Sequence, residues 1–268
     1  MKKSLLYLFA FICIQLFTSW IVSFIWHVAA GCGVTEALDM CMAPSESGIN
    51  GSLLIAQSAA YCIVAMAVFM GFKWSDVSPA YLRSRQWGVF FWCVVASLGA
   101  IIPTMWLQEL MPALPDTTKD LFAEIMRNDF GYITLCIFAP LVEELVFRGA
   151  ILRALLASMP KPAYAIIISA LLFSMAHINP AQMPHAFLVG LLLGWTCYRT
   201  GSILPGVAFH WTNNTVVYMV CRIAPYMQDM TITEIFKGST KSVALATVFS
   251  LLIIIPALYQ LNMRMRKA

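Results

Sequence analysis

Residues 4–30 read SLLYLFAFICIQLFTSWIVSFIWHVAA and contain no Asp, Glu, Lys or Arg. The hydrocarbon core of a bilayer takes about 20 apolar residues in a helix, so this run can cross one alone. It sets the reading of the whole chain. Residues 51–72, 87–112, 130–158 and 241–263 are apolar runs of similar length. Three shorter runs, 163–178, 185–199 and 203–223, are set off by helix breakers at Asn179-Pro180, Pro184, Gly201 and Pro205. Of the 268 residues 60% are hydrophobic and 11% charged, against about 25% charged in a soluble domain. So few charges cannot cover a water-facing surface, which excludes a soluble enzyme. The net charge of +4 comes from scattered basic residues instead of the stripe that marks a nucleic-acid binder. Hydrocarbon offers no partner to a free N–H or C=O, and no alternating barrel pattern is visible. The expected fold is all-α: a polytopic membrane protein of about eight transmembrane helices. No repeat or linker divides residues 1–268, so they read as a single transmembrane domain.

Basic residues favour the cytoplasmic side of a membrane. With the N-terminus inside, Lys2, Lys3, Lys73, Arg83, Arg85, Arg153, Lys161, Arg199, Arg264, Arg266 and Lys267 fall there, 11 of the 17 Lys and Arg. Lys119, Arg127, Arg222, Lys237 and Lys241 fall outside, and Arg148 lies within a span. The expectation is a multi-pass integral protein of the cell membrane with both termini cytoplasmic. The run after Lys2 and Lys3 ends in Ala29-Ala30-Gly31-Cys32, which invites comparison with a cleaved leader. It is longer than the ~7–15 apolar residues of a signal sequence, so it is kept as the first span. Six cysteines sit in spans as small apolar side chains, whereas Cys32 and Cys41 share the loop placed outside, where a disulfide can persist.

Ionisable groups inside a span cost about 2.5–3.5 kcal/mol each even on the mild insertion scale. The fourth span nonetheless carries Glu143, Glu144 and Arg148. Glu144 and Arg148 are four apart, acid before base, and can pair on one helix face. Glu143 is rotated by about 100° from Glu144 and lacks a partner on its own helix. Counted at 1.5 Å per residue from the Pro160-Lys161-Pro162 turn, Glu143 and His177 reach the same depth of roughly 22–26 Å. His210 and Asn214 are again four apart and share a face. A buried ion-pair cluster and interhelical hydrogen bonds account for these residues structurally. They also supply a carboxylate, two imidazoles and an amide. A Glu paired with a His can deprotonate water, while His and Asn donors stabilise an oxyanion. There is no H-E-x-x-H for zinc and no G-x-S-x-G for a serine nucleophile. A zinc site of Glu143, His177 and His210 stays open on ligand chemistry alone, although no metal or other cofactor is required.

The run Glu143-Glu144-x-x-x-Arg148, Phe173-x-x-x-His177 and His210-x-x-x-Asn214 resembles the CAAX-protease and bacteriocin-processing family of intramembrane glutamic endopeptidases, which includes the Ras-converting enzymes. The segments Gly190-Leu191-Leu192-Leu193-Gly194-Trp195 and Tyr198–Pro205 agree with it. The resemblance covers about residues 138–216, within a catalytic core of about 130–223. It implies eight helices around a polar intramembrane cavity. It further implies Glu143 as general base, His177 as its water-positioning partner, His210 and Asn214 as oxyanion site, and Glu144 and Arg148 in support. The implied partners are the bilayer and a protein or peptide substrate that can be lipid-modified. A non-proteolytic immunity or scaffold protein of the same fold is the alternative, and a transporter using Glu143 as proton carrier is a third reading.

Overall fold

The computed structural model describes residues 1–42, 50–77 and 79–265, so Arg266 and Lys267 of the charge count lie outside the described residues. All eight apolar runs are helical. They form α1 (Lys2–Ala29), α3 (Gly51–Gly71), α5 (Trp87–Glu109), α7 (133–156), α8 (Pro162–Ala176), α9 (Met183–Thr200), α10 (Leu204–Ile223) and α12 (Thr240–Arg264). Short helices α2 (Val34–Met42), α4 (Pro79–Arg83), α6 (Lys119–Arg127) and α11 (Ile232–Ile235) fill the connections. There is no strand among the described residues. The protein is an all-α polytopic membrane protein. Four helices, α1, α3, α5 and α12, are long and apolar enough to cross a bilayer unaided.

Those four helices turn much of their apolar surface outward, as lipid-facing helices should, while α7 is the most buried element. Every residue from Glu144 to Leu152 is inaccessible. Phe11 of α1, Phe69 of α3 and Phe147 and Ile151 of α7 share one core with Phe173 of α8. On the other flank α5 and α12 pack tightly: a Cβ on Gly99 would come within 2.9 Å of the Ile254 nitrogen. Ser97 donates to the Phe209 carbonyl at 3.0 Å, tying α5 to α10 one residue before His210.

Helix α7 is not uniform. Ile133–Phe138 and Glu144–Leu152 are π-helical, separated by the α-helical Ala139–Glu143. A π segment bonds each N–H five residues back, and its junctions with α-helix displace carbonyls from the ladder. In an apolar interior those carbonyls need other partners. Four side chains from four different places provide them. Ser75 bonds to Leu145 O at 2.6 Å, Ser169 to Phe147 O at 3.3 Å, Cys197 Sγ to Arg148 O at 3.8 Å, and Asn214 Nδ2 to Leu135 O at 3.0 Å.

The sequence left a disulfide between Cys32 and Cys41 open, and both thiols are free. Cys41 lies within α2, seven residues after its first residue Val34, so the helix carries it about 10 Å from the end that Cys32 precedes by two residues, farther than the Cα spacing of a disulfide.

Candidate active site

Glu143 ends the α-helical turn of α7 and Glu144 begins the π segment. The junction brings both carboxylates to one imidazole. His210 Nδ1 donates to Glu144 Oε1 at 3.2 Å, and its Nε2 lies 3.7 Å from Glu143 Oε2. The two carboxyl groups differ in setting: the Glu144 side chain is fully buried, while that of Glu143 is 19% exposed. Oε2 of Glu143 and Oε2 of Glu144 are both buried atoms that make no hydrogen bond within the protein, so the difference between the two carboxyl groups lies in the partial exposure of the Glu143 side chain.

Arg148 balances Glu144. Its Nη1 lies 3.1 Å from Glu144 Oε1, both side chains being fully buried, and Nη2 donates to Gly190 O at 3.3 Å. The guanidinium lies over the Phe173 ring with Cζ 4.2 Å from the centroid, a cation–π contact strengthened by the lack of water. Gly206 opens the space for the carboxylate: a Cβ there would meet Glu144 Oε2 at 2.8 Å.

His177 caps α8, and its Nδ1 lies 2.9 Å from Phe173 O. A carbonyl can only accept, so Nδ1 carries a hydrogen and Nε2 is the atom left for further chemistry. The Phe173 ring separates the two imidazoles, 4.9 Å from His177 and 5.9 Å from His210, edge-on to both. The imidazole beside Glu143 is that of His210, whose Nε2 lies 3.7 Å from Glu143 Oε2. Beyond His177, Ile178 adopts a left-handed φ of 53°, unfavourable for a β-branched residue. Asn179 holds this turn, donating to Asp116 at 2.9 Å and to Thr118 at 2.7 Å.

Asn214 lies one turn beyond His210. One hydrogen of its amide binds Leu135 O, which leaves the second available, and Asn213 Nδ2 approaches Asn214 Oδ1 at 3.3 Å. Sequence reasoning passed over His185 at the start of α9, which hydrogen-bonds Asn213 and interacts electrostatically with His210 and His177. Three of the four histidines of the chain thus gather here, and that clustering was the signal. Among the described residues no three His, Cys, Asp or Glu side chains converge as a metal-binding set. The trio of Glu143, His177 and His210 that zinc would need is therefore not assembled.

The Rce1-like family model, described as type II CAAX prenyl endopeptidase Rce1-like, matches residues 129–216, which contain Glu143, Glu144, Arg148, His177, His185, His210 and Asn214. The chain is 31% identical over 160 residues to an uncharacterized 24.3 kDa protein of Escherichia coli, covering 56% of this chain and 73% of that protein. No solved structure matches. A helical membrane fold, a carboxylate–imidazole cluster on its most buried helix and these two likenesses point the same way: the chain belongs to the Rce1-like family of CAAX prenyl endopeptidases.

Proposed function

We propose that the protein is a glutamic endopeptidase that hydrolyses a peptide bond within the membrane, with Glu143 as general base. The observation that carries this reading is the asymmetry of the two carboxylates about His210. Glu144 is fully buried and committed through Oε1 to Arg148 and to His210 Nδ1, whereas the Glu143 side chain is 19% exposed and lies 3.7 Å from His210 Nε2. The Glu143 carboxylate takes a proton from water as the oxygen adds to the scissile carbonyl. His177 Nε2, fixed as an acceptor by the Phe173 carbonyl, holds the second hydrogen of that water. The oxyanion accepts the spare hydrogen of Asn214 Nδ2 and, when His210 carries both ring protons, that of Nε2. Collapse breaks the C–N bond, and Glu143 returns its proton to the departing amine. Glu144 orients His210, and the Arg148 guanidinium, 3.1 Å away, balances Glu144 at its buried position.

The family relationship supports a protein or peptide substrate carrying a lipid near the cleaved bond. It equally supports peptide processing linked to bacteriocin immunity. Active-site access is proposed from the cytoplasmic side, with both termini on that side. Arg153 donates to Gly201 O at 3.2 Å, placing the α9–α10 turn ten residues along α7 from Glu143, within roughly 15 Å. The test is Glu143→Gln in purified protein given a library of lipidated and unlipidated peptides. Loss of a general base lowers turnover at least ~10²-fold with an unchanged melting transition. Hydrolysis at the parental rate by the Gln protein would exclude Glu143 from the mechanism.

A further inference from the structure

A cavity of about 500 Å³ opens between the start of α1 and the last turns of α7, away from the carboxylate cluster. Lys2, Lys3 and Arg153 line it together with Tyr7 and Trp74. The aromatic pair packs with ring centroids 5.1 Å apart. On the α7 side Ala150, Ala154 and, just past the helix end, Ala157 form the apolar part of the wall, with Arg153 and Ser158 beside them. The cleft is large enough for a small ligand and joins three unlike surfaces: basic, aromatic and small apolar. Its position fixes the environment. Lys2 begins a helix of 28 residues whose apolar run is free of charge, so the cleft lies where that run leaves hydrocarbon for headgroups. Basic residues beside Trp and Tyr are what an anionic interface selects.

We infer that this cleft binds the headgroup of an anionic phospholipid, with the phosphate against Lys2 and Lys3 and the first acyl carbons along the alanines of this wall. Asp76 lies 3.3 Å from Arg153 Nη1 and takes up part of its charge, so the two lysines carry the anion. Arg153 fixes the floor through its bond to Gly201 O. The site does not depend on which side of the membrane the cleft faces, because headgroups border both. Its consequence is structural: the lipid would bridge α1 to the helix that carries Glu143, Glu144 and Arg148.

The test is native mass spectrometry of the detergent-purified full chain with phosphatidylglycerol and phosphatidylcholine. Retention of phosphatidylglycerol over phosphatidylcholine is expected. Each basic residue at an anionic surface is worth about fivefold, so Lys2→Gln with Lys3→Gln lowers retention about thirtyfold. Ala157→Phe keeps every charge but fills the cleft. Ala157 is exposed, so that variant folds, and it should lose the lipid as well. Millimolar glycerol phosphate should not displace it. Equal retention of the two lipids, parental retention by Ala157→Phe, or displacement by glycerol phosphate would each overturn the assignment.

Discussion

Replacing Arg148 with Ala removes the one cation beside a carboxylate that has no access to water. Glu144 would remain fully buried, with His210 Nδ1 at 3.2 Å as its remaining side-chain hydrogen-bond partner among the described residues. Breaking a buried pair by deleting one partner typically costs about 3–5 kcal/mol, because the survivor is left uncompensated. The lost stacking on Phe173, 4.2 Å from the guanidinium, is worth about 0.5–2 kcal/mol in its own right. These terms share one cluster and do not add, so the pair sets the magnitude. For a chain of this size that corresponds to a fall in the melting transition on the order of 10 °C. Scanning fluorimetry in detergent measures it, alongside abundance in the membrane fraction. Glu144→Gln combined with Arg148→Met should recover most of the loss. It removes both charges together, while the Gln oxygen still accepts from His210 Nδ1. Arg148→Lys should fall between, since an ammonium cannot bond Glu144 and Gly190 while lying flat on Phe173. If Arg148→Ala melts within about 2 °C of the parent, a shift under 1 kcal/mol for a chain this long, the argument for a desolvated Glu144–Arg148 pair fails.

Hydrolysis should persist after dialysis against a strong chelator, since the proposed chemistry needs only side chains; loss of activity restored by added zinc would recast Glu143, His177 and His210 as ligands. Asn179→Ala should destabilise the turn after His177 by about 1–3 kcal/mol, because Asp116 and Thr118 lose a buried partner, and local hydrogen exchange at residues 176–182 reads it; unchanged protection there would mean the left-handed Ile178 needs no such clamp. In a background without native cysteines, Ala157→Cys should react with an impermeant thiol reagent from the cytoplasmic face only, and labelling from the outer face would invert the proposed orientation.

The eight apolar helices were legible because each is a mostly apolar run bounded by charges or helix breakers, and every one lies within a few residues of its expected place. The short helices were less so. Helix α6 carries Lys119, Asp120, Glu124 and Arg127, and a hydropathy reading treats it as loop. Its Leu121, Phe122, Ile125 and Met126 spacing was the amphipathic signal available. In the candidate site, the Glu144–Arg148 pairing followed from i, i+4 geometry. What could not be read was that His210 reaches both carboxylates, because the α-to-π junction between Glu143 and Glu144 is invisible to residue counting. Nor does Gly206 advertise its part: its contribution is the space for a carboxylate from another helix.

The π segments have a further implication for how this helix can change. A π turn is in effect an α-helix carrying one surplus residue, held in place here by hydroxyl, thiol and amide donors from outside the helix. Deleting one residue between 145 and 152 would let the backbone relax to the commoner coil and dispense with those donors. It would also turn Glu143 and Glu144 by about 100° against everything that follows, pointing them away from Arg148 and Gly190. Point substitutions along α7 can therefore be sampled one at a time, but its length cannot. The phase of the helix is a stored quantity, kept by Ser75, Ser169, Cys197 and Asn214, none of which belongs to it.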